Sequence, residues 1–320
     1  MGPGAAALNW RTMLPKSRVL STLLAGLGVA LMVAGLLAPR VLLSGARLPL
    51  DLGQATWTIE DAEGTRDGEP APVVRQLHME IQNPSDDDTA SVRIGDTVRA
   101  GDAGSDFDNL VSASTWSYVL DRVTGSAQGD AQVQLVMAMP PAQVPIDGAW
   151  LKFPAPAPKE AVQVFDPMLR GSTPAQFVGE EEIAGRTVYR YSQVVEPTNV
   201  ALRYADMRNT LAVPGENGGQ IRTFLFHRAE RELLVDQITG VVVGIDEMVD
   251  DYYATEDGRG VRNIVTYDGK MDRAQTEELL RRLGNSHAPS TQRAWQWGIA
   301  GLGAMLLAAG LIGALRPGRR

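Results

Sequence analysis

The 320-residue chain has no cysteine and only three histidines. A disulfide framework is thereby excluded, and the body of the chain must rely on its own apolar core, which its size allows. His78 and Glu80 share a strand face, but His227 and His287 are remote and no H-E-x-x-H pattern occurs, so a zinc site has no support and structural roles are expected for the histidines. Also missing are a G-x-S-x-G elbow, a phosphate loop and a dinucleotide fingerprint. No catalytic residue and no cofactor-binding residue is therefore assigned, and a non-enzymatic protein is expected. Bases are in deficit, 30 against 38 acids. An acidic chain lacks the surface needed to hold nucleic acid or to grip anionic headgroups electrostatically.

What the sequence does have is two long apolar runs. Residues 19–38, VLSTLLAGLGVALMVAGLLA, carry no charge and have about the length that crosses a bilayer. A second run, from Trp297 to Leu315, follows Trp295 and is nearly as long. A cleaved signal peptide is the competing reading of the first run. Its length exceeds the usual apolar region of about 7 to 15 residues, and Pro39-Arg40 makes a poor cleavage site. Two transmembrane helices are therefore expected, at 19–38 and 294–315. Arg11, Lys16 and Arg18 precede the first, and Arg316, Arg319 and Arg320 follow the second. By the positive-inside rule the tails 1–18 and 316–320 are cytoplasmic, and 39–293 is extracytoplasmic at the cell membrane. Setting those six bases aside leaves 24 against 38 acids on the rest of the chain. Gly26, Ala30, Ala34 and Ala38, and likewise Ala300, Ala304 and Ala308, fall four apart as smooth stripes for helix packing.

Between the runs, short alternating segments are broken by Gly, Pro, Asp and Asn, a strand rhythm. Candidate strands begin at Gln54, Pro72, Ala90, Thr115 and Ala131, and another is VRNIVTYDGK near the end. Hairpins are expected about Ala184-Gly185 and Gln237 to Gly240, where glycine supplies positive φ. Only 273–283 reads as a helix, with glutamates early and arginines late. The fold class is thus a β-rich α+β extracytoplasmic domain of antiparallel sheets, barrel-like around a cavity in one form, flanked by N- and C-terminal transmembrane helices.

Three consecutive glutamates, Glu180, Glu181 and Glu182, mark the first hairpin. Pairing about Ala184-Gly185 opposes Glu181 with Val188 and puts Arg186 and Arg190 on its diagonals, whereas Glu180 and Glu182 face the other way. Adjacent strand residues cannot share one cleft as an acid pair must, so the run is read as structural. Asp86, Asp87 and Asp88, and Asp102, Asp106 and Asp108, are the only oxygen-rich clusters suited to calcium. Neither has EF-hand spacing, and hydrated loops are the alternative.

The segment from Trp150 to Tyr191, with LLVDQITGVVV further on, resembles actinobacterial membrane proteins grouped as the PorA (porin PorA-like) family. The resemblance rests on Phe165-Asp166-Pro167, on Glu181 and Gly185 with Tyr189, and on Asp236 with Thr239-Gly240, where Gln237 replaces an expected proline. These are family-motif positions, and the resemblance assigns them no catalytic role. A porin barrel needs an unbroken lipid-facing apolar band and aromatic girdles, yet these strands are interrupted by charge and aromatics make up only 6% of the chain. The expected function is therefore a cell-envelope protein whose domain binds or passes an apolar envelope lipid or supports a lipid export or transfer complex. The alternatives are a porin-like channel subunit and a membrane-tethered scaffold or sensor. The partners expected are the lipid bilayer, an envelope lipid and another membrane protein.

Overall fold

In the computed structural model, β-branched and aromatic residues at alternate positions form long antiparallel strands, each with one buried face. The structure describes residues 16–43, 47–102, 104–105, 107–135, 140–215, 218–284 and 289–315. These divide into two compact units, a helical one within 1–42 and 290–320 and a sheet unit spanning 43–289.

The sheet unit begins with β1 (Gln54–Asp61), the small pair β2 (Thr65–Arg66) and β3 (Glu69–Pro70), and β4 (Val73–Ser85). There follow β5 (Thr89–Ala100), β6 (Leu110–Asp121), β7 (Ala131–Gln134), β8 (Ala142–Val144) and β9 (Val162–Asp166). Next come β10 (Gly171–Ile183), β11 (Arg186–Asn199), β12 (Thr210–Pro214), β13 (Gln220–Asp236), β14 (Val242–Ala254) and β15 (Gly260–Met271). All join one sheet in the order β8-β7-β6-β5-β4-β1-β15-β14-β13-β11-β10-β9, with β12 on β13 and β2 between β15 and β3.

The sheet is rolled. Trp116 of β6, toward one end of the order, meets Phe165 of β9 at the other, ring centroids 5.5 Å apart and edge to face. Trp150 packs on both rings, at 5.5 and 5.8 Å. Edge-to-face rings add about 0.5–1.5 kcal/mol per pair beyond the area they bury. The interior holds two apolar clusters. The larger contains Trp57, Leu77, Ile94, Trp116, Phe165, Tyr191, Leu233 and Ile245, together with Leu279, Leu280 and Leu283 of the helix Arg273–Gly284. The smaller contains Val73, Ala100, Val195, Leu225, Ala229, Val249 and Val265. The outer face is mixed and largely polar: on β4 it carries Val74, Gln76, His78 and Glu80, and on β14 Asp246, Met248 and Asp250.

Two tight turns carry the hairpins. Ala184 and Gly185 have φ of +50° and +74°, the positive pair that a two-residue hairpin turn requires. The pairing then runs Glu182↔Thr187, Glu181↔Val188 and Glu180↔Tyr189, the register read from the sequence. At the second turn Asp236 accepts the backbone N–H of Thr239 at 2.9 Å and its hydroxyl at 2.6 Å, and Gly240 turns back with φ of +70°.

The helical unit contains α1 (Lys16–Leu43) and, after α2 (Arg273–Gly284) of the sheet unit, α3 (Pro289–Leu315). The helices α1 and α3 run antiparallel and touch through glycines. A Cβ at Gly28 would lie 2.7 Å from the Gly303 carbonyl oxygen, and one at Gly303 2.8 Å from the Gly28 oxygen. Buried Ser21, Gly28 and Gly35 recur every seventh residue, as do Gly303 and Gly310, the repeat that keeps one seam facing its partner. The expected stripes lie elsewhere: Gly26, Ala30 and Ala34 are exposed, as are Ala304 and Ala308, whereas Ala300 is half-buried. Spacing by four drifts around the helix faster than spacing by seven, which drifts only about 20° per repeat. Ala38 lies outside the residues whose side chains are described.

The two transmembrane helices expected at 19–38 and 294–315 are a correction. Among the described residues no helix is long and apolar enough to cross a membrane. The flanked fold class and the two-span cell-membrane placement, with cytoplasmic termini and a large extracytoplasmic domain, depended on those crossings and fall with them. The tail residues Arg11, Arg316, Arg319 and Arg320 lie outside the described residues.

The turns differ in tolerance. A Cβ at Gly185 meets open space, so Gly185→Ala is expected to cost about 1 kcal/mol from its positive φ alone. At Gly240 the same atom collides with the backbone oxygens of Phe153 and Pro154. Gly240→Ala should therefore lower the melting temperature at least twice as far as Gly185→Ala, and equal shifts would contradict this account of the second turn.

Candidate functional site

Charged side chains cross the rolled interior at one level, between the two apolar clusters. On β13, Arg231 lies between Ala229 of the smaller cluster and Leu233 of the larger, and on β14 Glu247 lies between Val249 and Ile245 in the same way. On β4, Arg75 separates Val73 from Leu77, and on β11 Gln193 separates Val195 from Tyr191. Strand register makes this a row: Gln193 pairs with Arg231, and Arg231 with Glu247. Because cross-strand partners are nearest neighbours on one face, the pairing alone puts guanidinium beside carboxylate.

The row is fully bonded. Arg75 donates Nη1 to both Glu247 oxygens, at 2.9 and 2.7 Å, and Nε and Nη2 to Asp96 at 3.1 and 2.9 Å. Arg231 donates Nε to Glu247 at 2.9 Å and Nη1 to Asp166 at 2.7 Å. The Tyr267 hydroxyl donates to Glu247 at 2.7 Å. Next to this row, His227 bridges Asp251, 2.5 Å from Nδ1, and Asp166, 3.2 Å from Nε2. Among the described residues no buried side-chain nitrogen or oxygen lacks a partner. That condition is what makes a buried ion network tolerable, since each unpaired charge would cost several kcal/mol.

The same contacts set the proton affinities. Burial pushes the His227 imidazole down, but Asp166 and Asp251 outweigh it and raise its pKa to about 9. Burial pushes the Glu247 carboxyl up, and Arg75 and Arg231 more than reverse this, leaving it at about 2. For Asp166 burial again raises, and His227 and Arg231 hold the group well below the usual carboxylate range. His227, Glu247 and Asp166 are therefore charged at neutral pH.

Above the row lies a cavity of about 220 Å³. Arg75, Asp96, Arg231 and Tyr267 line it, followed by His227 and Asp251, then Tyr253, Tyr204, Arg170 and Arg208. Apolar walls come from Trp116, Met168, Leu225 and Val249, among others. The Arg170 guanidinium lies 3.7 Å from the Tyr204 ring centroid, a cation–π contact, and 4.0 Å from Asp206, which Arg208 also pairs at 3.1 Å. Beyond the row the interior is filled by the larger apolar cluster.

The family-motif positions divide between this site and the turns. Asp166 joins the charged row, Phe165 anchors the aromatic contact of the sheet ends, and Pro167 lines the cavity. Asp236 pairs with Arg186 at 2.9 Å, and with Thr239 and Gly240 it builds the second turn. Glu181 pairs with Arg190 at 3.1 Å on the outer face, and Tyr189 packs against Phe177, ring centroids 5.3 Å apart. Glu180 meets Lys159 at 2.8 Å. His78 contacts Thr56 at 2.8 Å on the outer face.

The calcium candidates are engaged otherwise. The Asp86 carboxylate accepts the Asp88 and Thr89 N–H groups at 2.9 and 2.7 Å, closing the β4–β5 turn. The Asp87 carbonyl accepts from Arg47 and Arg122, and Asp88 pairs with Arg47 at 3.6 Å. Asp108 accepts the Ser105 hydroxyl at 2.8 Å, Asp102 borders the same loop, and Asp106 lies outside the described residues. Among the described residues no group of His, Cys, Asp or Glu is arranged to hold a metal ion. Sequence reasoning missed Arg75, Asp96, His227, Arg231, Glu247 and Asp251. Their only signal was charge at inward positions of otherwise apolar alternation.

A rolled antiparallel sheet with a charged layer across its interior is the class of protein these features define. The model of the family described as Porin PorA matches residues 20–312, and the chain belongs to that family. It is 24% identical over 235 residues to Porin PorA of Corynebacterium amycolatum, covering 64% of this chain and 60% of that protein. With Porin PorA of Corynebacterium resistens it shares 26% identity over 239 residues, 62% of this chain and 57% of the relative. The chain thus spans less than two thirds of the length of these relatives.

Lys152, a buried cation outside the charged row, responds to pH in the opposite sense to His227. Lys152 is 1% exposed, donates to the carbonyls of Val123 and Phe153, and is held at a pKa of about 7 by burial, only partly offset by Asp121 and Asp236. His227, raised above its unfolded value near 6.5, contributes stability that is whole below pH 6.5 and lost by about pH 9, on the order of 3 kcal/mol. Lys152, depressed from 10.5, carries a cost that is whole below pH 7 and relieved as the pH rises toward 10.5. Between pH 7 and 9, thermal melts of His227→Gln should therefore show a melting temperature rising with pH. Those of Lys152→Met should show it falling, and matching slopes in the two variants would refute the assignment.

Proposed function

We propose that the chain acts in a porin-type passage for small hydrophilic solutes across an envelope membrane, with the charged cavity as its solute site. The observation that carries this reading is the layer of paired charges at the floor of a cavity inside a member of a porin family. Such a lining favours hydrated and charged solutes over hydrocarbon, because an apolar molecule placed against ionised groups would leave them desolvated without a partner. An apolar envelope lipid would match the apolar walls alone and leave Arg75, Arg170, Arg208, Arg231, His227 and two aspartates of the lining facing hydrocarbon.

One rolled sheet does not make the whole conduit in this reading. Its outer face is largely polar where a lipid-facing barrel wall would be apolar, and its interior below the charged row is closed by the larger cluster. The passage is assembled from more than one copy of the full chain, with the cavity mouths facing the solute.

Reconstitution of the full chain into planar bilayers is expected to give discrete conductance steps. Replacing both Arg170 and Arg208 by Glu should move the reversal potential in a salt gradient toward cation selectivity. Silence at high protein density would dispose of the passage, and conductance with an unmoved reversal potential would remove the cavity from its path.

A further inference from the structure

The cavity is layered by charge. Inner-face positions on a strand recur every second residue, roughly 7 Å apart, so Glu247, Val249, Asp251 and Tyr253 of β14 mark successive depths. Glu247 lies in the row with Arg75, Asp96 and Arg231, and Asp251 marks the level of His227. Tyr253 marks the mouth, where its hydroxyl donates to the Arg208 carbonyl at 2.7 Å.

The two ends of this column carry opposite surpluses. At the mouth, among the described residues, Arg170 and Arg208 share a single carboxylate, Asp206. In the two inner layers three cations, Arg75, Arg231 and His227, face four carboxylates, Asp96, Asp166, Glu247 and Asp251. The mouth therefore has positive charge to spare and the interior negative charge, one strand step apart. The mouth segment is held in place, since Asn209 donates to the Tyr204 carbonyl at 2.8 Å and Tyr204 to the Met168 carbonyl at 3.1 Å.

We infer that the cavity binds a small zwitterion of dipeptide size, its carboxylate at Arg170 and Arg208 and its ammonium group directed inward toward Asp251. A lone anion would be drawn to the mouth and meet the negative surplus below it, and a lone cation would have to pass the two arginines. A molecule carrying both charges roughly 5 to 7 Å apart satisfies both layers at once. The cavity, about 220 Å³, is smaller than the roughly 300–1,000 Å³ sites of drug-sized ligands, which suits a compact solute. The inference rests on the reading of this cavity as the solute site and names the solute's chemistry.

Titration calorimetry on the full chain in detergent tests it, with glycylglycine as probe and its two singly charged analogues, N-acetylglycylglycine and glycylglycinamide, as controls. Glycylglycine is expected to bind at least about tenfold more tightly than either analogue. Arg208→Gln, at the half-exposed mouth and outside the charged row, should weaken glycylglycine about tenfold and leave the melting temperature unchanged. Asp251→Asn should weaken glycylglycine and leave N-acetylglycylglycine unaffected. Equal binding of the three probes, or no saturable heat from glycylglycine up to about 10 mM, overturns the inference. Conductance steps without this binding would leave the passage standing and remove the zwitterion site, and binding without conductance would do the reverse.

Discussion

The structure depends on ionised groups being kept inside a rolled sheet without any of them going unpaired. Desolvating a carboxylate or a guanidinium costs several kcal/mol, and only close, multiply bonded partners offset it. Asp166 shows how this is met: it takes a charge-assisted hydrogen bond from Arg231 and one from His227, and its other oxygen accepts the Leu169 N–H at 2.8 Å. One residue at the end of β9 thus ties a turn to the charged row, at the place where the sheet ends meet. Glu247 does the same from the opposite side with two arginines and a tyrosine.

This layer also organises what surrounds it. It separates the apolar interior into a larger cluster, closed by the aromatic contacts of Trp116, Trp150 and Phe165 and backed by α2, and a smaller one beside the cavity. Fully apolar packing at the same level would be at least as stable by the energetics of buried pairs, so the charges are better understood through the cavity they face than through stability. In the reading proposed above, the polar residues on the outer face of the same strands and membership of a porin family together direct attention to the interior.

Much of the sheet was legible from the sequence because alternation is local. The strands at Gln54, Ala90 and Ala131, the helix beginning at Arg273, and the hairpin opposing Glu181 with Val188 all follow from side-chain period and turn chemistry within a few residues. The transmembrane helices did not survive, because run length and absence of charge were the whole of their support and no described helix meets the requirement. The packing stripes were misplaced for a related reason: counting small residues by fours ignores the sevenfold seam along which Gly28 and Gly303 approach.

The candidate site was illegible, even though each of its members was visible. Asp166, His227 and Asp251 are separated by 61 and 24 positions, and Arg75 and Glu247 by 172, so no motif could have joined them. By itself the sequence determined a cysteine-free, acidic, strand-built body with its tight turns at Gly185 and Gly240, since these rest on composition, period and backbone conformation, all of which act over short range. Which inward charges meet, and that they meet in one layer beneath a cavity, was decided only by tertiary structure. Strand order and register are long-range choices, and Coulombic pairing acts on distance in space, whatever the separation along the chain.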